Sequence, residues 1–191
     1  REYHNIFLSF LSFLMFLGVI YSIFESDKFN DFNCLVCKPF NSHIGELTMT
    51  TFLYSKYLEW GDTLFLHLSG KPITMLQYTH HMSTAFLMHI NYMEYISPAS
   101  SIPVALNCLI HIPMYWYFAF PKGIIYPYRK LITQIQIIQH IICLLTVIYS
   151  YSQEDCKQNK YGANVSVSLY SMYLFYFCIF YINSYYKKKN R

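Results

Sequence analysis

The sequence predicts an all-α integral membrane protein, and three observations carry that reading. The chain of 191 residues is 54% hydrophobic and 20% aromatic. Only 13% of it is charged, against roughly 25% in a soluble domain. The charges fall in short breaks between long apolar runs. A net charge of +4 divided among those breaks argues against a nucleic-acid partner. No repeat of fixed period and no low-complexity stretch divides the chain, so 1–191 reads as a single transmembrane domain.

A helix needs about 20 mostly apolar residues to span a bilayer. Six segments qualify, at 6–24, 47–68, 73–95, 102–120, 131–151 and 165–186. The first is too long for a signal-peptide core and has no small-residue cleavage site after it. Pro72, Pro98 and Pro121 fall where helices should start or stop, and Pro113 should kink the fourth segment. An even number of spans puts both ends on one side. That side would carry Lys71, Lys122, Arg129, Lys130 and the basic residues of both termini. The other would carry only Lys28, Lys38, Lys157 and Lys160. The positive-inside rule makes the ends cytosolic. The opposite loops hold Cys34, Cys37 and Cys156, and in an oxidising compartment a Cys37–Cys156 disulfide is expected. The lone C-x-x-C has no second pair, which argues against a metal site.

The polar residues inside the spans are the functional candidates, because ionisable groups are costly there. Segment two carries Lys56, Glu59, Asp62 and Thr63 on one helical face, and segment three carries Gln77, His80 and His81. Segment four places Asn107, His111 and Tyr115 at four-residue steps. Segment five places Thr133, Gln136 and Gln139 at three-residue steps. Any one set could be interhelical glue, and a packed core role is an even alternative for His89 and His140. Depth separates the readings. At a rise of about 1.5 Å per residue, His80 lies about 12 Å inside Pro72 and His111 about 15 Å inside Pro121. On the same scale Asp62 and Gln136 lie about 10 Å deep, all from the cytosolic side. Four polar faces at one level describe a chamber opening toward the cytosol.

These clusters resemble the motifs of the ELO family of very-long-chain fatty-acid elongases. Its K-x-x-E-x-x-D-T is similar to Lys56 through Thr63, and its H-x-x-H-H to Gln77 through His81. Its N-x-x-x-H-x-x-M-Y is similar to Asn107 through Tyr115, and its T-x-x-Q-x-x-Q to Thr133 through Gln139. Two departures stand out. The family fold has seven spans, so the six here resemble its second to seventh, with the first missing. Gln77 stands where the family's leading histidine is usual. Cys37-Lys38-Pro39 looks like the family's lumenal C-x-P, and Lys188-Lys189-Asn190-Arg191 like a di-lysine retrieval signal of the endoplasmic reticulum.

The resemblance implies condensation of acyl-CoA with malonyl-CoA to 3-oxoacyl-CoA, carbon dioxide and CoA, around a narrow acyl-chain tunnel and without a bound cofactor or metal. It also implies company in the membrane: reductases and a dehydratase of the same cycle, with homo-oligomerisation left open. The expected catalytic set is His80, His81, His111 and Asp62. Lys56, Glu59, Gln77, Asn107, Tyr115, Gln136 and Gln139 are the expected substrate contacts. Imidazole serves as nucleophile or base near neutral pH, and Cys108 is a rival nucleophile. Two other classes compete. A membrane di-iron desaturase or hydroxylase also uses H-x-x-H-H boxes, but His4, His43 and His67 are scattered here. A transporter with a polar relay would need no malonyl-CoA, but no inverted repeat is evident.

Overall fold

The computed structural model describes every residue except 94–97, 155, 157–158 and 187–191. The end of the expected 73–95 segment, Lys157 and the di-lysine sequence therefore lie outside the described residues. The regular elements found are helices: α1 (Glu2–Glu25), α2 (Phe32–Cys37), α3 (His43–Leu58), α4 (Trp60–Leu68), α5 (Met75–Met93), α6 (Ser101–Ala119), α7 (Arg129–Ser152) and α8 (Lys160–Tyr185). Short 3-10 turns at Pro98–Ser100 and Tyr126–Tyr128 lead into α6 and α7.

Among the described residues, four helical stretches are long and apolar enough to cross a membrane: Glu2–Glu25, Pro98–Ala119, Tyr126–Ser152 and Lys160–Tyr185. The other two expected spans differ for a physical reason. Segment 47–68 is broken at Glu59 into α3 and α4, and α5 carries Gln77, His80 and His81 along its length. Both helices trade apolar residues for the polar groups that line the interior.

The long helices close a ring. Each packs on the next in the order α1, α3, α5, α8, α7, α6 and back to α1. A closed ring of helices leaves an interior that only side chains can fill. Between α1, α3 and α6 it is filled by Met15, Val19, Met49, Phe52, Val104 and Cys108. Gly18 makes that packing close, because a Cβ there would collide with the Thr48 side chain. Facing outward, Phe7, Phe10, Leu14, Leu17 and Tyr21 of α1 are exposed, as befits a helix that meets lipid. Pro113 lies inside α6, which continues through it.

The end of the bundle opposite the termini is tied down. Cys37 of α2 is disulfide-bonded to Cys156 in the loop before α8, with Cα atoms 4.6 Å apart. Asp31, Ser42 and Asn159 accept hydrogen bonds from the first-turn amides of α2, α3 and α8, satisfying groups that helix starts leave unpaired. Lys28 is fully buried there, donating to Ser101 Oγ at 2.7 Å and to the Pro98 carbonyl at 3.3 Å.

Candidate active site

The break between α3 and α4 sets the site. The Glu59 amide still donates back to the Ser55 carbonyl, while the Asp62 amide takes the Glu59 carbonyl in a tighter turn. The Glu59 side chain is thereby buried at 2% exposure, beside Lys56, also 2% exposed. The Lys56 Nζ donates to Glu59 Oε1 at 2.7 Å and to Asn107 Oδ1 at 2.7 Å. It also sits 4.2 Å from the centre of the Phe52 ring. A buried ion pair survives only when its remaining valences are met, and here α6 meets one of them.

That arrangement fixes His111. An ammonium only donates, so the Asn107 atom it touches is the carbonyl oxygen and the other is the amide nitrogen. Asn107 Nδ2 stands 3.1 Å from His111 Nε2, which must accept. The ring hydrogen then lies on Nδ1, 3.4 Å from Glu59 Oε1. Lys56, Glu59, His111 and Asn107 thus form a closed polar circuit across α3 and α6. Both His111 nitrogens are occupied by it.

Next to the circuit, His81 Nδ1 faces Glu59 Oε2 at 3.9 Å. Both atoms are buried without a hydrogen-bond partner among the described residues. The His81 backbone carbonyl accepts from the Trp60 indole at 2.9 Å, joining α4 to α5. Asp62 is held twice: Tyr115 donates to Oδ2 at 2.9 Å and His4 Nε2 lies 3.1 Å from Oδ1. Gly61 makes the His4 approach feasible, since a Cβ there would come within 3.0 Å of the His4 ring.

Two cavities meet inside the ring. The larger, about 320 Å³, lies toward the end with the chain termini and is lined by Asp62, Gln77, His80, His81, His111 and Gln136, among others. The narrower, about 60 Å³, runs toward the disulfide end past Phe52, Lys56, Thr84, Leu87, Val104 and Tyr173. His80, Asn107, Gln139 and His140 line both. No hydrogen bond to the His80 ring is found among the described residues; it meets Tyr173 edge-on at 4.9 Å and His81 at 5.5 Å between centroids.

The structure therefore gathers most of the expected residues and separates a few. Tyr115 is fully buried and turned to Asp62, and it lines neither cavity. Gln136 lines the chamber but directs its amide to Met114 Sδ at 3.2 Å. Thr133 bonds back to the Arg129 carbonyl at 3.2 Å, as interhelical or intrahelical glue would. Cys108 is 1% exposed within the apolar core and lines neither cavity. One residue of the site, His4, was not expected: Phe7, Leu8 and Leu11 follow it at i+3, i+4 and i+7, so no polar stripe marks it in the sequence. His140, balanced evenly in the sequence between core packing and function, lines both cavities four residues after Gln136.

A ring of helices with a histidine- and amide-lined interior defines a multi-span membrane protein with a buried chamber. The sequence pattern of ELO, the GNS1/SUR4 family, matches residues 2–191, and the chain belongs to that family. It is 30% identical over 143 residues to the very long chain fatty acid elongase 6 of Drosophila melanogaster, covering 70% of this chain and 45% of that protein. It is 32% identical over 148 residues to the long chain fatty acid elongase 2 of Caenorhabditis elegans, covering 73% and 54%. It is 30% identical over 174 residues to the fatty acid elongase 2 of Trypanosoma brucei brucei, covering 84% and 62%. The chain spans about half the length of the curated relatives it matches.

Proposed function

We propose that the protein elongates fatty acids, condensing acyl-CoA with malonyl-CoA to give 3-oxoacyl-CoA, carbon dioxide and CoA. The observation that supports this most is the position of His80. Its ring has no hydrogen bond among the described residues and stands at the junction of a narrow cavity and a wider polar one. An acyl thioester bound with its chain in the narrow cavity and its CoA in the wider one places its carbonyl there. His80 is the nucleophile in this reading, splitting one hard acyl transfer into two easier steps.

The neighbours fit supporting roles. The Gln139 amide is 6% exposed, has no hydrogen bond among the described residues and lines both cavities, so it is the candidate donor to a developing oxyanion. His111, held at both nitrogens, orients Asn107 and Glu59 instead of attacking. At about 60 Å³ the narrow cavity has room for about two waters. Chain entry therefore repacks its wall, where the unbranched Met88 is the adaptable side chain. His81, Gln77 and Asp62 on the chamber wall are the candidates to meet malonyl-CoA, and Lys122, Arg129 and Lys130 its phosphates.

The same reading puts the protein in the endoplasmic reticulum membrane, with Lys71, Lys122, Arg129 and Lys130 on the cytosolic side. Reductases and a dehydratase would consume its product. The desaturase alternative asks the histidines to turn toward metal. Here His111 turns its ring nitrogens to Glu59 and Asn107, and His140 one of its own to a backbone carbonyl. Microsomes containing the protein, given labelled malonyl-CoA and a panel of acyl-CoAs, should form 3-oxoacyl-CoA. His80→Ala should abolish it. Stoichiometric iron in purified protein, with no malonyl-CoA consumed, would overturn the proposal in favour of the desaturase.

A further inference from the structure

One interior histidine has no part in the chemistry above. His140 is 3% exposed and lines both cavities beside His80. Its Nδ1 lies 2.6 Å from the Gln136 carbonyl oxygen one turn earlier on α7. A carbonyl only accepts, so Nδ1 carries the ring hydrogen and the lone pair is on Nε2. That Nε2 has no hydrogen-bond partner among the described residues. The rest of the ring is clamped: Phe177 packs on it at 4.8 Å and Tyr173 stands across it at 5.6 Å between centroids. The His80 ring is 6.1 Å away by the same measure, inclined at 74°.

The other chamber histidines are not equivalent. His111 has both nitrogens engaged, and His81 turns its Nδ1 to Glu59 and does not line the narrow cavity. The Gln136 carbonyl fixes the His140 tautomer and leaves Nε2 as its lone pair, on a ring that lines both cavities as His80 does.

We infer that His140 is the acid–base partner of His80, a role that rests on the elongation chemistry proposed above. When one His80 nitrogen attacks the acyl thioester, a C–N bond forms and the C–S bond breaks. CoA departs as thiolate, and the other His80 nitrogen sheds its hydrogen. His140 Nε2 takes that proton and passes it to the thiolate. The step ends with acyl-His80, free CoA thiol and His140 restored. Malonyl-CoA then loses carbon dioxide, the resulting enolate carbon attacks the acyl carbon, and the C–N bond breaks. His80 regains its proton from chamber water through His140, so each cycle consumes one proton. The ring separation is within the reach of one bridging water or a small ring rotation, the range in which a base can act.

The test uses the full chain in microsomes and purified in detergent, with labelled malonyl-CoA and an acyl-CoA that the unaltered protein elongates. His140→Asn keeps a donor for the Gln136 carbonyl but has no group at the Nε2 position. Its kcat should fall about 100-fold or more, as for loss of an acid–base group, while the acyl-CoA KM stays within about three-fold. Added imidazole should restore turnover at least about ten-fold in His140→Ala and not in His80→Ala, since a diffusing base replaces a proton carrier but not a nucleophile. Turnover of His140→Asn or His140→Phe within two-fold of the unaltered protein would overturn the proposal. So would a loss in His140→Asn accompanied by no imidazole rescue of His140→Ala, which assigns the ring to packing. Elution volume and thermal midpoint report folding for each variant. If the unaltered protein makes no 3-oxoacyl-CoA, the elongation reading fails, and the failure is not that of His140.

Discussion

Lys56 Nζ sits 2.7 Å from Asn107 Oδ1, and that contact decides the protonation pattern of His111 without touching it. With its oxygen taken, Asn107 can offer only N–H to His111 Nε2, 3.1 Å away. The motif residues of α3 and α6 thus work as one circuit, in which a lysine on one helix sets the tautomer of a histidine on the other.

Reversing the amide should expose this. In Asn107→Asp the carboxylate still accepts from Lys56, but it can only accept from His111 too, so the ring hydrogen moves to Nε2. Glu59 Oε1 then faces an Nδ1 lone pair at 3.4 Å. The expected result is a kcat lower by about 100-fold or more with KM nearly unchanged. Separate kcat and KM measurements in microsomes check it; a variant within two-fold of wild type would show that the tautomer is immaterial.

The circuit also carries stability. Lys56→Met leaves the Glu59 carboxylate buried with no cation beside it, and removing one partner of a buried pair costs about 3–5 kcal/mol. Lys56→Met combined with Glu59→Gln removes the charge as well as its partner, so most of that loss should be recovered while activity stays absent. Thermal unfolding in detergent, followed by loss of the monodisperse elution peak, reads both. Equal midpoints for single and double variants would contradict the assignment.

Much of this could be seen in the sequence because buried polar residues on a membrane helix reveal both face and depth. The steps Gln77–His80–His81 and Asn107–His111 place their residues on one wall each, and the 1.5 Å rise levels them. What periodicity cannot give is which neighbour captures a side chain. Tyr115 shares its face with His111, and their rings meet at 5.3 Å, yet its hydroxyl goes to Asp62. His4 is bonded to a residue 58 positions away, a pairing set by how α1 leans on α4 and by the absence of a side chain at Gly61. The break at Glu59 was hidden for a related reason. The apolar run 47–68 is long enough to cross as one helix, and only the buried circuit turns it aside.

The Cys37–Cys156 bridge spans 119 residues of sequence, which places it among the long loops where a cross-link restrains the unfolded chain most. Cys156→Ser should lower stability by about 2–4 kcal/mol and slow the chain on a non-reducing gel relative to the bridged form. Reduction of the unaltered protein should reproduce both effects. A variant that runs and melts like the oxidised protein would count against a bridge that forms in the cell.

Lys28 gives the same end of the bundle a pH dependence. It lies in the loop after α1, outside the spans, and its ammonium is fully buried against Ser101, the Pro98 carbonyl and the Phe40 ring. Burial first, and then repulsion from Lys38, lowers its pKa from 10.5 to about 7. Below about 7 the folded and opened forms both hold the proton, and the full cost of burying the charge is present. As pH rises through 7 the folded form sheds the proton while the opened form keeps it, so the packed state gains until the opened form also titrates near 10.5. Local opening of residues 26–42 should therefore become rarer between pH 6.5 and 8.5. Hydrogen exchange of that segment in proteoliposomes, corrected for the intrinsic rate at each pH, measures it. Lys28→Met should abolish the pH dependence and leave the segment as protected at 6.5 as at 8.5; a dependence that persists in Lys28→Met would assign it to another group.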